Sequence, residues 1–201
     1  MNDQPGVLGP SQVELVGRIL YLTEDPDLVN KQLAGHDLDP HDLPKLKDDL
    51  STDEITPARS CLYFDKRLGE FVYTGLNCGN KYPVGRGEVR RGNFVVSVAG
   101  KRRGKGSSRE QSPFAEIAAG IKLVIGESFE RIYEQNCQNL GLLTSTDFGL
   151  LPRIARGEKI DFEEFTKDKD EITRQIIRYG GLFPFNQARL RGQVSIPSIS
   201  S

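Results

Sequence analysis

The sequence predicts an α/β domain built on a mixed sheet, and three neighbouring stretches predict it. Phe94-Val95-Val96-Ser97-Val98-Ala99 is nearly continuously apolar, as a strand buried on both faces must be. Ser112 and Pro113 then read as the N-cap and first-turn proline of a helix running through Ala119, with Gly120 as its stop. Ile121, Leu123, Val124 and Ile125 start a second apolar strand. Strand, loop, helix and strand in that order form the repeating unit of α/β folds.

The flanking elements follow from the same rules. Residues 1–11 read as a disordered start. Residues 12–49 read as an N-terminal extension. It holds a strand over Val13–Leu22, then a short helix begun at Asp25-Pro26 with Leu28, Val29, Gln32 and Leu33 at helical spacing and Gly35 as its stop. An Asp/Pro-rich solvated linker over 36–49 completes it. Residues 50–192 form the main domain. There, Leu50 to Ala58 is turn-rich, and Cys61–Phe64 and Phe71–Tyr73 read as two short aromatic strands. Gly75 to Gly92 reads as loop. A helix over about 128–140 presents Phe129, Ile132, Tyr133, Cys137 and Leu140 on one face, and Gly141 caps it. Beyond Thr146 come a helix over Asp147–Gly157, a charged connector over Asp161–Asp170, and a helix marked by Ile172, Ile176 and Tyr179 and closed by Gly180-Gly181. Leu182–Phe185 reads as docking on a partner or, in preference, on the domain itself. The Ser/Pro tail, 193–201, reads as flexible.

Composition sets limits. The 201 residues suit one domain with appendages, able to bury roughly 70% of the unfolded surface. A net charge of −1 supplies no global field for nucleic acid or a membrane. No apolar run approaches the roughly 20 residues of a membrane span, and no signal peptide is visible after Met1, so the cytosol is the default. Cys61, Cys78 and Cys137 are too scattered for a disulfide framework or a zinc site, and they are not the set an iron–sulfur cluster requires. His36 and His41 are the only histidines and lack a third ligand.

Gly100 to Gln111, Gly-Lys-Arg-Arg-Gly-Lys-Gly-Ser-Ser-Arg-Glu-Gln, is the stretch on which function turns. It joins a strand's carboxyl end to a helix's amino end, where free N–H groups and the helix dipole favour anions. A P-loop is excluded, because only three residues separate Gly100 from Gly104 and Lys105 is followed by Gly106. A nucleophile elbow is excluded because Glu110 stands two past Ser108. An anion site and a flexible basic loop both remain open.

The run Gly106-Ser107-Ser108-Arg109-Glu110-Gln111 resembles the aconitase superfamily's swivelling domain, most closely the small subunits of 3-isopropylmalate isomerase and homoaconitase. Two further stretches fit in order: Leu50-Ser51-Thr52-Asp53-Glu54-Ile55-Thr56-Pro57-Ala58-Arg59, and Ser128-Phe129 through Asn136, Asn139, Gly141, Leu142 and Leu143. The likeness spans about residues 48–146. It implies a swivelling three-layer β/β/α domain and the dehydration and rehydration of a hydroxy di- or tricarboxylic acid. It further implies Ser107 as the base, Asp53 as an active-site carboxylate, and Ser108, Arg109 and Arg59 as substrate-binding residues. This chain would bind no metal; a four-iron cluster would sit on a large partner subunit, and no activity would appear without it. Two residues depart from the pattern: Lys105, where related loops often carry cysteine or a small residue, and Gln111, where histidine is common. The basic run Lys101-Arg102-Arg103-Gly104-Lys105 also suits phosphate backbones. It motivates an alternative, a non-catalytic RNA-binding or regulatory protein that keeps the fold.

Overall fold

The two apolar runs lie side by side in one sheet, flanked by strands on either side. A computed structural model describes residues 11–63 and 65–194. In chain order these form β1 (Gln12–Val13), β2 (Arg18–Tyr21), α1 (Pro26–Leu33), α2 (Thr52–Ile55), α3 (Glu88–Arg91), β3 (Phe94–Ala99), α4 (Gln111–Ala119), β4 (Leu123–Gly126), α5 (Arg131–Leu140), β5 (Leu143–Ser145), α6 (Leu150–Ala155), β6 (Ile160–Asp161), α7 (Glu171–Arg178) and α8 (Leu182–Leu190). The main sheet has the order β2-β3-β4-β5. It is parallel throughout, with Val98 opposite Ile125 and Ile125 opposite Ser145. Antiparallel pairing is confined to the small β1-β6 sheet.

All six residues of β3 are buried, which requires cover on both faces. On one face Leu20, Ala99 and Val124 pack with Ala115, Ala119, Tyr133 and Cys137 of α4 and α5. On the other, Tyr21, Val96, Val98, Leu123 and Ile125 pack with Leu151 and Ile154 of α6, Ile160 of β6, and Phe162 and Phe165. The result is the layered α/β architecture expected, with helices on one side of the sheet and the small sheet with its own helices on the other. Because β2 belongs to the main sheet, that sheet draws on residues either side of the expected boundary at 50.

Several local expectations need correction. The two aromatic strands of 60–75 do not form among the described residues: residues 61–63 and 72–73 are turn or irregular, Ala58–Ser60 and Lys66–Phe71 are 3₁₀ turns, and Phe64 lies outside the described residues. The Asp65 carboxylate accepts from Arg67 N–H at 2.9 Å and starts the second turn. Gly69 then lies so close to α4 that an added Cβ would be 2.4 Å from the Ala118 carbonyl carbon. Backbone packed on backbone leaves no room for a pleated strand. Glu110, not Ser112, stands at the N-cap position of α4 and makes no side-chain cap bond, and the Ser112 hydroxyl reaches the Thr52 carbonyl at 3.4 Å. The stretch 50–58 contains the single turn α2, closed by a capping box in which Ser51 and Glu54 bond each other's backbone N–H. The stretch 75–92 contains α3. The charged connector is partly core, since Phe162 and Phe165 are buried beside β6. The apolar stripes of α5 and α7 are narrower than the periodicity suggests: Ile132 and Ile172 are exposed, while Tyr133, Cys137 and Ile177 are buried. Phe185 does dock on the domain, as expected, but Phe183 faces outward. The disorder expected for the first residues and the tail falls, apart from Ser11 and residues 193–194, outside the described residues. No helix among the described residues is long and apolar enough to cross a membrane.

Candidate active site

Parallel strands end on one edge, and the loop from Gly100 to Glu110 leaves β3 at that carboxyl edge and delivers the chain to the start of α4. Its first half is stitched down on both flanks. On one side Gly100 N–H donates to Lys47 O (2.9 Å), Gly104 N–H to Leu50 O (2.8 Å) and Thr52 N–H to Lys105 O (2.8 Å). On the other, Arg103 N–H donates to Ser128 O (3.0 Å) and Glu130 N–H to Arg103 O (2.9 Å). Gly104 is required where it stands. Its φ is +85°, and an added Cβ would lie 2.1 Å from Cγ of Tyr133.

Beyond Lys105 the stitching stops. The N–H groups of Gly106, Ser107 and Ser108 meet no acceptor among the described residues, and both serines are exposed. Arg109 N–H turns back to Ser107 O at 2.8 Å. The Arg109 side chain is mostly buried, and its Nη1 donates to Asp53 Oδ1 at 2.5 Å and to Thr56 O at 3.4 Å. Thus Asp53 and Arg109, 56 residues apart in sequence, meet. Asp53 and Arg59 both line an open cleft of about 850 Å³ with Glu54 and Tyr82. Arg59 is exposed and makes no ion pair among the described residues. Donors that lack acceptors, next to a guanidinium held by a carboxylate, can receive an anion. This arrangement favours the anion site over the flexible basic loop.

Sequence reasoning missed what lies beneath the loop. Arg103, read as part of a basic run suited to phosphate backbones, is fully buried. Its Nη2 lies 2.6 Å from Glu116 Oε1, 2.7 Å from the Tyr73 hydroxyl and 2.9 Å from Ser97 Oγ. Its Nη1 donates to Ser97 O at 3.2 Å, and its Nε to the Tyr133 hydroxyl at 3.2 Å. The phenols of Tyr73 and Tyr133 donate to the two Glu116 oxygens at 2.6 and 2.5 Å. Burial pushes both phenols well above the ordinary tyrosine range, against the pull of Arg103, so both stay neutral donors. The one sequence signal was Glu116, a charge between Ala115 and Ile117 on a helix that must face the core.

The rest of the basic run is also engaged. Arg102 pairs with Asp49 at 2.5 Å, Lys105 approaches the same carboxylate at 3.8 Å, and Lys101 approaches Glu127 at 4.0 Å. These three side chains remain about half exposed or more, so their pairing with Asp49 and Glu127 reduces, without removing, the positive surface behind the RNA-binding alternative. Cys78 and Cys137 are buried and Cys61 is half-buried. Among the described residues no group of three or more His, Cys, Asp or Glu side chains could hold a metal ion.

The profile of the aconitase C-terminal domain matches residues 87–146, which run from α3 through the serine loop to the end of β5. The fold and loop thus define an aconitase-type swivelling domain. The 3-isopropylmalate dehydratase small subunit of Nitratidesulfovibrio vulgaris is 32% identical over 161 residues, covering 73% of this chain and 92% of that relative. The isopropylmalate/citramalate isomerase small subunit of Methanocaldococcus jannaschii is 30% identical with the same coverage. A crystal structure of 3-isopropylmalate dehydratase from Methanocaldococcus jannaschii superposes with a TM-score of 0.54 at 27% identity, covering 73% of this chain and 92% of that one. The chain belongs to the family of 3-isopropylmalate dehydratase small subunits.

Proposed function

We propose that this chain is the small, swivelling subunit of an isopropylmalate-isomerase-type hydro-lyase, and that Ser107 and Arg109 carry its part of the chemistry. The observation behind the reading is the exposed Ser107-Ser108 pair at the sheet's carboxyl edge. Unpartnered backbone N–H groups surround it, and Arg109 stands beside it, held by Asp53. The substrate class is a hydroxy di- or tricarboxylic acid, in keeping with the isopropylmalate and citramalate named for the relatives.

Isomerisation by loss and return of water needs a proton taken from carbon and a hydroxyl lost next to it. Ser107 is assigned the first task. A serine hydroxyl is a weak acid, so its alkoxide must be stabilised, and the loop's own N–H groups that lack acceptors among the described residues supply the means an oxyanion hole uses. Arg109 clamps a substrate carboxylate. Among the described residues only Nη1 of its guanidinium is engaged, by Asp53 and the Thr56 carbonyl, which leaves its remaining N–H groups for the ligand. Asp53 orients that guanidinium, and Ser108 and Arg59 add contacts from the loop and the cleft.

Hydroxide is a poor leaving group and calls for a Lewis acid. The cysteines and carboxylates described here do not form a site for one. The reading therefore places the iron–sulfur cluster on a large partner subunit, which this domain would close upon. A cytosolic setting completes it, since three free cysteines suit a reducing compartment.

The test is reconstitution with a cluster-bearing large chain. The small subunit alone is expected to be inactive and the pair active. Ser107→Ala is expected to lower kcat by about 10³-fold or more, the scale for losing a general base together with its activated oxygen. Full turnover by that variant would defeat the assignment.

A further inference from the structure

We propose that the buried Arg103–Glu116 pair, with the hydroxyls of Tyr73, Tyr133 and Ser97, is the positioning element of the serine loop. It would fix the two flanks of the loop so that Ser107 and Arg109 present themselves at reacting geometry. The proposal rests on the functional reading above and extends it to residues that touch no substrate.

Arg103 lies in the stitched half of the loop and Glu116 on α4, which begins just after the reactive residues; they are 13 positions apart and joined at 2.6 Å. The exposed part of the loop is therefore the free arc of a closed ring. The other side of that ring is a charge-assisted bond inside the core.

The fork of Arg103 also ties separate elements at one point. It reaches Ser97 on β3, Glu116 on α4, Tyr133 on α5 and Tyr73 in the segment packed against α4. A planar guanidinium satisfied on several sides fixes direction as well as distance. Tyr133 in turn walls Gly104, whose added Cβ would strike its ring at 2.1 Å. Both the path of the loop and its anchor are thus read off the same side chains.

Stability alone does not account for a fully buried ion pair, since well-packed apolar side chains of similar volume often serve a core as well or better. What they cannot supply is a defined orientation between the loop and the helix that follows it. Loss of that orientation should appear in turnover and leave binding largely intact, because reacting groups are far more sensitive to small displacements than carboxylate binding is.

The experiment uses the complex reconstituted with its cluster-bearing large subunit and the double variant Arg103→Met/Glu116→Leu. The expected result is a folded complex whose kcat, normalised to folded protein, falls about 10- to 100-fold while KM moves less than about threefold. Amide exchange at Gly104 and Lys105, the loop amides bonded to Leu50 O, should quicken about tenfold in the free small subunit, with β3 unchanged. Parent-like kcat in the folded double variant overturns the proposal. Should that variant not fold, Tyr73→Phe and Tyr133→Phe each remove one hydroxyl; the same split of kcat from KM supports the proposal, and parent kinetics in both refute it. If the parent complex turns over no hydroxy acid, the functional reading fails on its own. The exchange measurement then still decides positioning: faster loop amides in the variant uphold it, and unchanged ones sink it.

Discussion

Tyr21 shows how one residue can be right for the core and unsatisfied in it. Its ring is buried in the core beside Val96 and Val98, yet its hydroxyl finds no partner among the described residues. Burial first, then Asp39 and Asp37, push the phenol from its ordinary value of 10.0 up to about 12. The folded value lies above the unfolded one, so ionisation of this group costs the fold nothing below pH 10, and stability is lost as pH rises through about 12. Tyr21→Phe removes an unpaired buried hydroxyl without changing the ring. The variant is expected to gain about 1 kcal/mol at neutral pH. Its stability should also fall less steeply than the parent's between pH 10 and 12, as urea melts across that window would record. A variant less stable than the parent at neutral pH would point to a partner for that hydroxyl.

At the scale of elements, side chains settle what the backbone leaves open. β2 is an edge strand, and its outer side is closed by Gln32 of α1. The amide oxygen accepts from Tyr21 N–H at 2.7 Å and the amide nitrogen donates to Tyr21 O at 2.9 Å, as a neighbouring strand would. Helical spacing placed Gln32 on the inner face of α1, but spacing could not show that it serves as a strand's partner. A cap was equally silent in α7. Asp170 accepts from Thr173 N–H at 3.0 Å and from the Thr173 hydroxyl at 2.6 Å. Those bonds, the hydroxyl's foremost, hold its carboxyl below the ordinary aspartate range. With the folded value depressed, the cap's contribution is present above the unfolded aspartate pKa and lost as pH falls through the folded one. Asp170→Ala should cost about 1 kcal/mol at pH 7, and the difference should shrink toward pH 3. Paired thermal melts at the two pH values measure it, and an equal gap at both would remove the charge from the account.

Across the whole molecule, the C-terminal helices belong to the same core as the sheet. Ile177 of α7 is buried in the cluster that contains Val98, Ile125 and Phe165, and Gly141 at the end of α5 approaches the Gly180 carbonyl so closely that an added Cβ would be 2.4 Å away. Ile177→Ala should therefore cost about 2–5 kcal/mol and shift a single cooperative transition. Two separate transitions by circular dichroism would show α7 and α8 melting on their own. The same scale corrects the reading of charge. Composition gave a near-neutral chain with one basic run, and only packing could show Arg103 withdrawn into the core and its neighbours Arg102 and Lys105 turned onto Asp49. Charge in a sequence says how many groups there are; exposure and partners say what field remains.

From the sequence alone came the strands over Phe94–Ala99 and Leu123–Gly126, the turn-forming glycines at 120 and 141, and the three motifs that drew Ser107, Arg109 and Asp53 into one hypothesis. Those are local properties, set by apolar runs, by φ > 0 at glycine and by residue order, and a chain carries them before it folds. Tertiary structure alone decided that Arg109 meets Asp53, that residues 66–71 pack on α4 as a 3₁₀ turn, and that Arg103 and Glu116 pair beneath the loop. Each of these joins groups far apart in sequence. Burial changes the worth of such contacts by excluding water, a condition that exists only once the layers have closed.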